Sequence, residues 1–396
     1  MPVLDLPYEE IDWTPSWRTD VIKTWPGPES RISVLSFPRE VYGLRYLLEE
    51  PEMRELRRQL YLGPADEYQI PLEHESMVVV SAVVGVTVVA DTTYSDWIAT
   101  GQPVLVRNLL GQSYSANIVS AIGYPGAATI LTLSASPPLG QSYPGGSSRI
   151  LPLAQVDLDD GSGVNRYQVN VGAWSIAARD RVFHTTWGTG APAAVTFAGL
   201  RVLDRRPLNE TQPEEQNQAG LERLDLGASA LVEWSRVVSD LVRFHEFMIG
   251  GEFSSFAPDR QWWRAFLFAV RGRQVPFLLP TWRDDLPLAA PPVPASFTLL
   301  VTKPPDYAAW FAGSAAQDRL LLVTDEQSGQ WTYTGVSGVV DNLDGTETIT
   351  TTVAVPPDPI EKICFLETVR LEEDAVPIGF GSARGHVTLR ARVVQR

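Results

Sequence analysis

The chain has a single cysteine, Cys364, among 396 residues. One thiol excludes an intrachain disulfide and any cysteine metal site built within one chain. Its apolar setting reads as a small buried hydrophobe. Histidine is almost as scarce: His74, His184, His245 and His386 have no partners at metal-ligand spacing such as His-x-x-x-His. Long apolar runs are also missing. The most hydrophobic stretch, Met77 to Ala90, is Val-rich and interrupted by Gly85, and falls short of the ~20 residues of a membrane helix. Basic residues number 32 against 47 acidic ones, a net charge of −15. That balance excludes a sequence-independent nucleic-acid footprint and argues against docking on anionic lipid. No nucleic-acid or membrane partner is expected. The segment Met1-Pro2-Val3-Leu4-Asp5 shows no basic region leading into an apolar run, so no export signal is expected and the chain reads as made in the cytoplasm.

Catalytic signatures are equally sparse. There is no Gly-x-Ser-x-Gly elbow, and Gly335-Val336-Ser337-Gly338 has the wrong order. There is no phosphate loop with a trailing Lys, and Gly379-Phe380-Gly381 precedes a strand pattern where a dinucleotide site needs a helix. The pairs Asp159/Asp160 and Asp284/Asp285 are sequence neighbours, which point to opposite faces of a strand and so do not form the facing carboxylates of a glycosidase. Asp157 to Gly163 faintly resembles a calcium loop, but its twelfth position is Gln168 where a bidentate Glu is needed. No enzymatic activity, cofactor or metal is expected.

What is plentiful is glycine (30), proline (31) and tryptophan (12), a mix that suits a loop-rich β protein with few short helices. Much of Tyr94 to Leu158 is written twice. Tyr94-Ser95-Asp96-Trp97-Ile98-Ala99 returns 213 residues later as Tyr307-Ala308-Ala309-Trp310-Phe311-Ala312. Arg149 to Leu158 returns at the same spacing as Lys362 to Leu371, and Tyr68-Gln69-Ile70-Pro71-Leu72 returns 209 residues later as Phe277-Leu278-Leu279-Pro280-Thr281. Such self-similarity predicts an internal duplication in two copies. Copy one spans 1–203 with a β module at 77–158, a polar junction covers 204–223, and copy two spans 224–396 with a β module at 296–371. Each copy is expected to be a helix-containing β domain carrying a β-barrel or β-sandwich module.

Within copy one, residues 1–37 carry Trp13, Trp17 and Trp25 among prolines. They read either as an extended arm packing on a neighbour or as a strand closing their own domain. A helix is expected from Ser36 and Pro38, with Val41, Leu44, Leu47 and Leu48 on one face, and a second from Pro51 to Leu60 with an Arg54/Arg57/Arg58 solvated face. Tyr167 to Ile176 alternates as a strand. In copy two the clearest helix starts at Pro258-Asp259, buries Trp262, Trp263, Phe266, Leu267 and Val270, and stops at Gly272. The strand Gln274 to Leu279 follows. Asp341 to Thr346 reads as a hairpin turn, and His386 to Val394 as the last strand.

The helix leading into Arg271-Gly272-Arg273-Gln274-Val275-Pro276-Phe277-Leu278-Leu279-Pro280-Thr281-Trp282-Arg283-Asp284 resembles a pattern in the distal-tail and baseplate-hub proteins of siphophages and gene transfer agents. The resemblance covers about fifteen residues, and copy one keeps only Gly63, Tyr68, Ile70 and Pro71 of it. It implies a structural virion protein without an active site, assembled in the host cytoplasm into the tail tip. Its partners would be copies of itself, the tail tube protein and other tail-tip proteins. Two similar domains per chain let a trimer present six similar faces to a hexameric tube, and a hexamer is the other arrangement. Trp13, Trp17, Trp25 and Trp282 are the candidate interface residues. The competing class is a carbohydrate-binding or glycan-degrading β protein, in which tryptophans line a sugar groove.

Overall fold

The computed structural model describes residues 3–6, 8–23, 29–62, 67–91, 97–123, 128–158, 163–166, 171–181, 195–208, 214–218, 222–225, 231–234, 239–250, 256–293, 296–303, 307–314, 319–325, 331–355, 359–381 and 384–394. They are mainly antiparallel strands, with three α-helices: α1 (Glu50–Leu62), α2 (Phe256–Val270) and α3 (Tyr307–Gly313). The chain forms two compact units. Unit 1 comprises 1–193, 248–271 and 374–387, and unit 2 comprises 194–247, 272–373 and 388–396. This division is not the linear one at 203 and 224: helix α2 and the strand Ile378–Phe380, both late in sequence, belong to the first unit.

In unit 1 the segment 39–49 is a strand, not the helix its leucine spacing predicts. Glu40, Tyr42, Leu44, Tyr46 and Leu48 are buried in strict alternation, while Leu47 is 54% exposed. Period two wins because both edges of the strand are claimed. Glu10–Ser16 pairs along one side and Val171–Asp180 along the other, and the β-forming Tyr and Val residues fit that pleat. Glu10–Ser16 in turn pairs with Ile378–Phe380. Residues 10–16 are therefore the strand that closes its own domain, the second of the two expectations. The helix begins only at Glu50, where Pro51 fits the first turn and Glu52 accepts the Glu49 N–H at 3.0 Å. Met53 and Leu56 are buried, and Arg54 and Arg58 pair with Glu50 and Glu55 on the exposed face.

The module of unit 1 is a closed barrel. Its strand order is 77–80, Thr87–Asp91, Ala128–Leu133, Ser113–Gly123, Pro103–Arg107 and Arg149–Leu158. Arg149–Leu158 pairs back onto Met77–Val78, and the Val79–Ala90 bridge closes the ring. Arg149–Leu158 runs on out of the barrel to pair with Glu67–Pro71 and Val171–Asp180.

Unit 2 builds a barrel in the same order: residues 285–289, Thr298–Thr302, Thr346–Thr351, Trp331–Asp341, Leu320–Asp325 and Ile360–Leu371. The Asp285 N–H donates to the Ile363 carbonyl, and the Leu288–Val301 bridge closes the ring. Its core holds Leu286, Leu299, Val301, Leu321, Val323, Ile349 and Ile363. The registers match as well as the order. Pro71 faces Leu153 and Pro280 faces Leu366, residues separated by the 209 and 213 positions of the sequence repeat. The long strand Ile360–Leu371 then pairs with Gly385–Val393, as Arg149–Leu158 does with Val171–Asp180. The polar junction contributes a strand, Glu214–Gln218, paired with Ser239–Ile249. In a strand held by backbone bonds, polar side chains do not prevent the pairing.

Candidate functional site

The densest chemistry in unit 1 is a buried ionic cluster carried by helix α2. Arg260, Trp263, Arg264 and Leu267 share one helix face at i, i+3, i+4, i+7 spacing, and all four are buried. Arg264 and Arg260 reach the carboxylate of Glu75, Arg260 at 3.1 Å. Glu75 is wholly buried in the short turn Glu73–Glu75. The Trp97 indole donates to the Glu75 carbonyl at 3.2 Å. A second carboxylate, Glu40, accepts the Trp13 indole N–H at 3.1 Å and the Tyr42 hydroxyl at 2.6 Å. The Arg264 guanidinium lies 5.4 Å over the Trp13 ring, within cation–π range.

The titrations follow from this packing. Burial, with Glu40 next, pushes the Tyr42 hydroxyl well above its ordinary range. Burial depresses the Arg264 guanidinium, which Glu40 and Tyr42 oppose. His74 is held neutral by burial and by Arg260 and Arg264, and its ring stacks on Phe380 at 4.6 Å. Shifted groups of this kind often mark active sites. Here Tyr42, His74 and Arg264 are all buried. The cluster fastens α2 to the rest of unit 1.

A solvent-accessible cleft of about 350 Å³ in unit 1 is lined by Asp5, Glu73, Arg107 and Arg149 among others. In it Arg107 pairs with Asp5 and Glu73, both at 2.5 Å. Arg149 lines the same cleft and donates to the Ser76 hydroxyl at 3.3 Å. No carboxylate neutralises Arg149 among the described residues.

In unit 2 the segment that carries the resemblance is a barrel corner. The Thr281 N–H donates to the Phe365 carbonyl at 3.0 Å. Asp285 accepts the Phe365 N–H at 2.8 Å and the Thr281 hydroxyl, and Asp284 accepts the Ile363 N–H at 3.2 Å. Both carboxylates thus hold the backbone of Ile360–Leu371. Trp282 takes the left-handed conformation at φ 58° and packs edge-on against Trp331 at 5.1 Å.

Three of the four candidate interface tryptophans are core residues. Trp13, Trp17 and Trp282 are 1%, 4% and 2% exposed. Trp13 stacks on Phe380, and Trp17 meets Phe268 edge-on at 5.9 Å. A large ring between prolines reads as an exposed arm in sequence, but each ring is covered by its own unit, so none of the three offers contact surface. Trp25 lies outside the described residues, as do Asp159/Asp160 and Tyr94 to Asp96. Sequence reasoning missed Glu40, Glu75, Arg260 and Arg264 as a group. The readable signal was that Arg260 and Arg264 fall on the same helix face as Trp263 and Leu267.

Among the described residues no three His, Cys, Asp or Glu side chains converge to hold a metal ion, and no helix is long and apolar enough to cross a membrane. No protein-family model matches the chain, and no curated protein matches it.

Proposed function

We propose that the chain is a structural subunit of the tail tip of a long-tailed bacteriophage, built from one ancestral unit used twice, and that it self-assembles into a ring joining the tail tube to the tip. The observation that carries this reading is the recurrence of one six-strand barrel order with one register in both units. Two like barrels per chain suit a component that must present similar faces around a symmetric tube. Three further features support it. The titratable cluster is buried, the paired carboxylates of the barrel corner hold backbone, and the segment 271–284 resembles tail-tip proteins. The ring order, three or six, follows from whether the two barrels of a chain occupy equivalent positions.

The test is native mass spectrometry over a concentration series with electron-microscopic particle averages of the same sample. A ring of three or six with a central opening is expected. A monomer that binds a glycan array would replace this reading with carbohydrate binding. The specific feature favouring that alternative is Trp310, 45% exposed and stacked on Tyr307 at 5.3 Å, which has the makings of a sugar platform.

A further inference from the structure

The correspondence between the two halves of the chain extends beyond the barrels. In unit 1 the strand Glu10–Ser16 has both edges paired. Arg39–Glu49 runs along one edge, with Tyr42 opposite Trp13. Ile378–Phe380 runs along the other, with Ile378 opposite Trp13. Ile378–Phe380 is itself the hairpin partner of Gly385–Val393, with Ile378 facing Val387. Each of these four strands has a counterpart elsewhere in the chain.

Gly385–Val393 corresponds to Val171–Asp180 at the 213-residue spacing of the repeat. Val369 faces Val393 as Val156 faces Asp180. The Val394 N–H donates to the Thr368 carbonyl as the Arg181 N–H donates to that of Gln155. The hairpin partner of Val171–Asp180 is Gly163–Arg166, in which Val164 faces Trp174 as Ile378 faces Val387. Val164 is therefore the counterpart of Ile378. The long strand Arg39–Glu49 corresponds to Ser239–Ile249. Tyr42, Leu44, Tyr46 and Leu48 are buried in alternation in the first, and Arg243, His245, Phe247 and Ile249 in the second. The Arg45 carbonyl accepts the Glu9 N–H as the Glu246 carbonyl accepts the Leu208 N–H. The strand beside Ser239–Ile249 is Glu214–Gln218, with Glu214 opposite Arg243 as Trp13 is opposite Tyr42. Glu214 is therefore the counterpart of Trp13.

One pairing of the set has no counterpart. Among the described residues Gly163–Arg166 pairs only with Val171–Asp180, and Glu214–Gln218 only with Ser239–Ile249. Each strand therefore keeps one row of backbone N–H and C=O groups without a neighbouring strand, an edge that templates pairing with another chain. We propose that Glu214–Gln218 of one copy takes Gly163–Arg166 of the next copy as its antiparallel neighbour, with Glu214 opposite Val164. The occupant is a second copy because the chain already makes this pairing once, between the corresponding strands Glu10–Ser16 and Ile378–Phe380. The two edges differ, so the contact is heterologous and propagates around a ring where its rotation closes. In a ring of three chains the same strand pairing would occur six times, three within chains and three between them. This inference rests on the assembly reading and names the strands that carry it.

The experiment uses the full chain and cysteine pairs, since the native Cys364 is buried. Directly opposed residues of antiparallel strands hold their Cβ atoms about 5 Å apart, close enough for a disulfide with little adjustment. Chains carrying both Val164→Cys and Glu214→Cys are expected to form a ladder of disulfide-linked oligomers under mild oxidation, read on a non-reducing gel. Mixing chains that carry only Val164→Cys with chains that carry only Glu214→Cys is expected to give a linked dimer and no higher band. Combining Glu214→Cys with Asn165→Cys moves one thiol to the opposite face of its strand and is expected to lose the ladder. Thermal unfolding checks that each variant folds. A second readout needs no substitution: hydrogen exchange of the backbone amides in 163–166 and 214–218 of the wild-type chain should slow as assembly proceeds across a concentration series. Wild-type rings in particle images with unchanged exchange, with no ladder from the opposed pair, or with an equal ladder from the Asn165 pair overturn this contact and leave the ring reading standing. A ladder formed by particles that are open filaments supports the contact and overturns the ring reading. A disulfide closed within one chain, or a wild-type chain that stays monomeric throughout the series, overturns the contact.

Discussion

Replacing Glu75 by glutamine tests the cluster on α2 most directly. The substitution keeps the shape of the side chain and removes its charge. Glu75 is fully buried, and two buried guanidinium groups, Arg260 and Arg264, point at its carboxylate. At an effective dielectric near 20, a unit charge pair at about 4 Å interacts by roughly 4 kcal/mol. The variant loses two such attractions but also the desolvation cost of the carboxylate. Breaking a buried pair by removing one partner costs about 3–5 kcal/mol, and two arginines on one acid place the expectation at about 4 kcal/mol. That is a large share of the roughly 5–15 kcal/mol of a typical domain, so unit 1 should unfold at markedly lower denaturant. The assay is urea unfolding followed by tryptophan fluorescence, since Trp13, Trp97 and Trp263 surround the cluster. A loss below about 1 kcal/mol would refute the claim that Glu75 is the anion on which α2 is held. A triple variant, Glu75→Met with Arg260→Met and Arg264→Met, should recover most of the loss, because uncharged groups of similar length carry no desolvation cost.

The remaining predictions concern other parts of both units. His245 in unit 2 is lowered to about 4 by burial, then by Arg243 and Arg283. The unfolded chain takes up that proton below about 6.5, so stability should fall as pH drops from about 6.5 to about 4, by roughly 3 kcal/mol in all. His245→Leu should flatten that slope in denaturant midpoints measured across the range. Asp285→Ala removes the acceptor for the Phe365 N–H and the Thr281 hydroxyl, and should cost about 2–3 kcal/mol by chemical unfolding. In unit 1, a methyl group on Gly145 would sit 2.5 Å from the Val80 carbonyl oxygen, on the closing edge of the barrel. Gly145→Ala should therefore destabilise by about 1–3 kcal/mol, visible as a lowered midpoint, while Gly111→Ala, with open space around it but φ 75°, should cost only the backbone strain of about 1 kcal/mol.

The β character, the α2 helix and its buried face, the Pro51–Leu60 helix and the Asp341–Thr346 hairpin were all legible, because each is written in local periodicity or turn chemistry. What was not legible was decided by partners distant in sequence. Segment 39–49 carries leucines at helical spacing, yet it is a strand because residues 10–16 and 171–180 hydrogen-bond to its two edges. Glu75 sits in the short charged turn Glu73–Glu75, and its burial depends on Arg260 and Arg264 of α2, more than 180 residues later in sequence. The tryptophans were misplaced for the same reason. A Trp flanked by prolines has no local feature that tells an exposed arm from a core strand, and it was Glu40 and Phe380 that covered Trp13.

The offset between matching positions shifts from 209 to 213 residues, and the structure places that shift. Met77 and Leu286 are both buried, 209 apart, and both open the barrel's closing segment. From Val79 to its bridge partner Ala90 is 11 positions, and from Leu288 to Val301 is 13. From Ala90 to Trp97 is 7, and from Val301 to Trp310 is 9. The four extra residues thus enter as two and two, in the connections on either side of one strand, and none enters a strand. An odd slip within a strand would turn every side chain to the other face, whereas a connection absorbs added length at little entropic cost. The environments diverged where register did not constrain them: Trp97 is buried beneath Glu75, while Trp310 is half-exposed on α3. The two barrels thus keep one register while the surroundings of Trp97 and Trp310 differ.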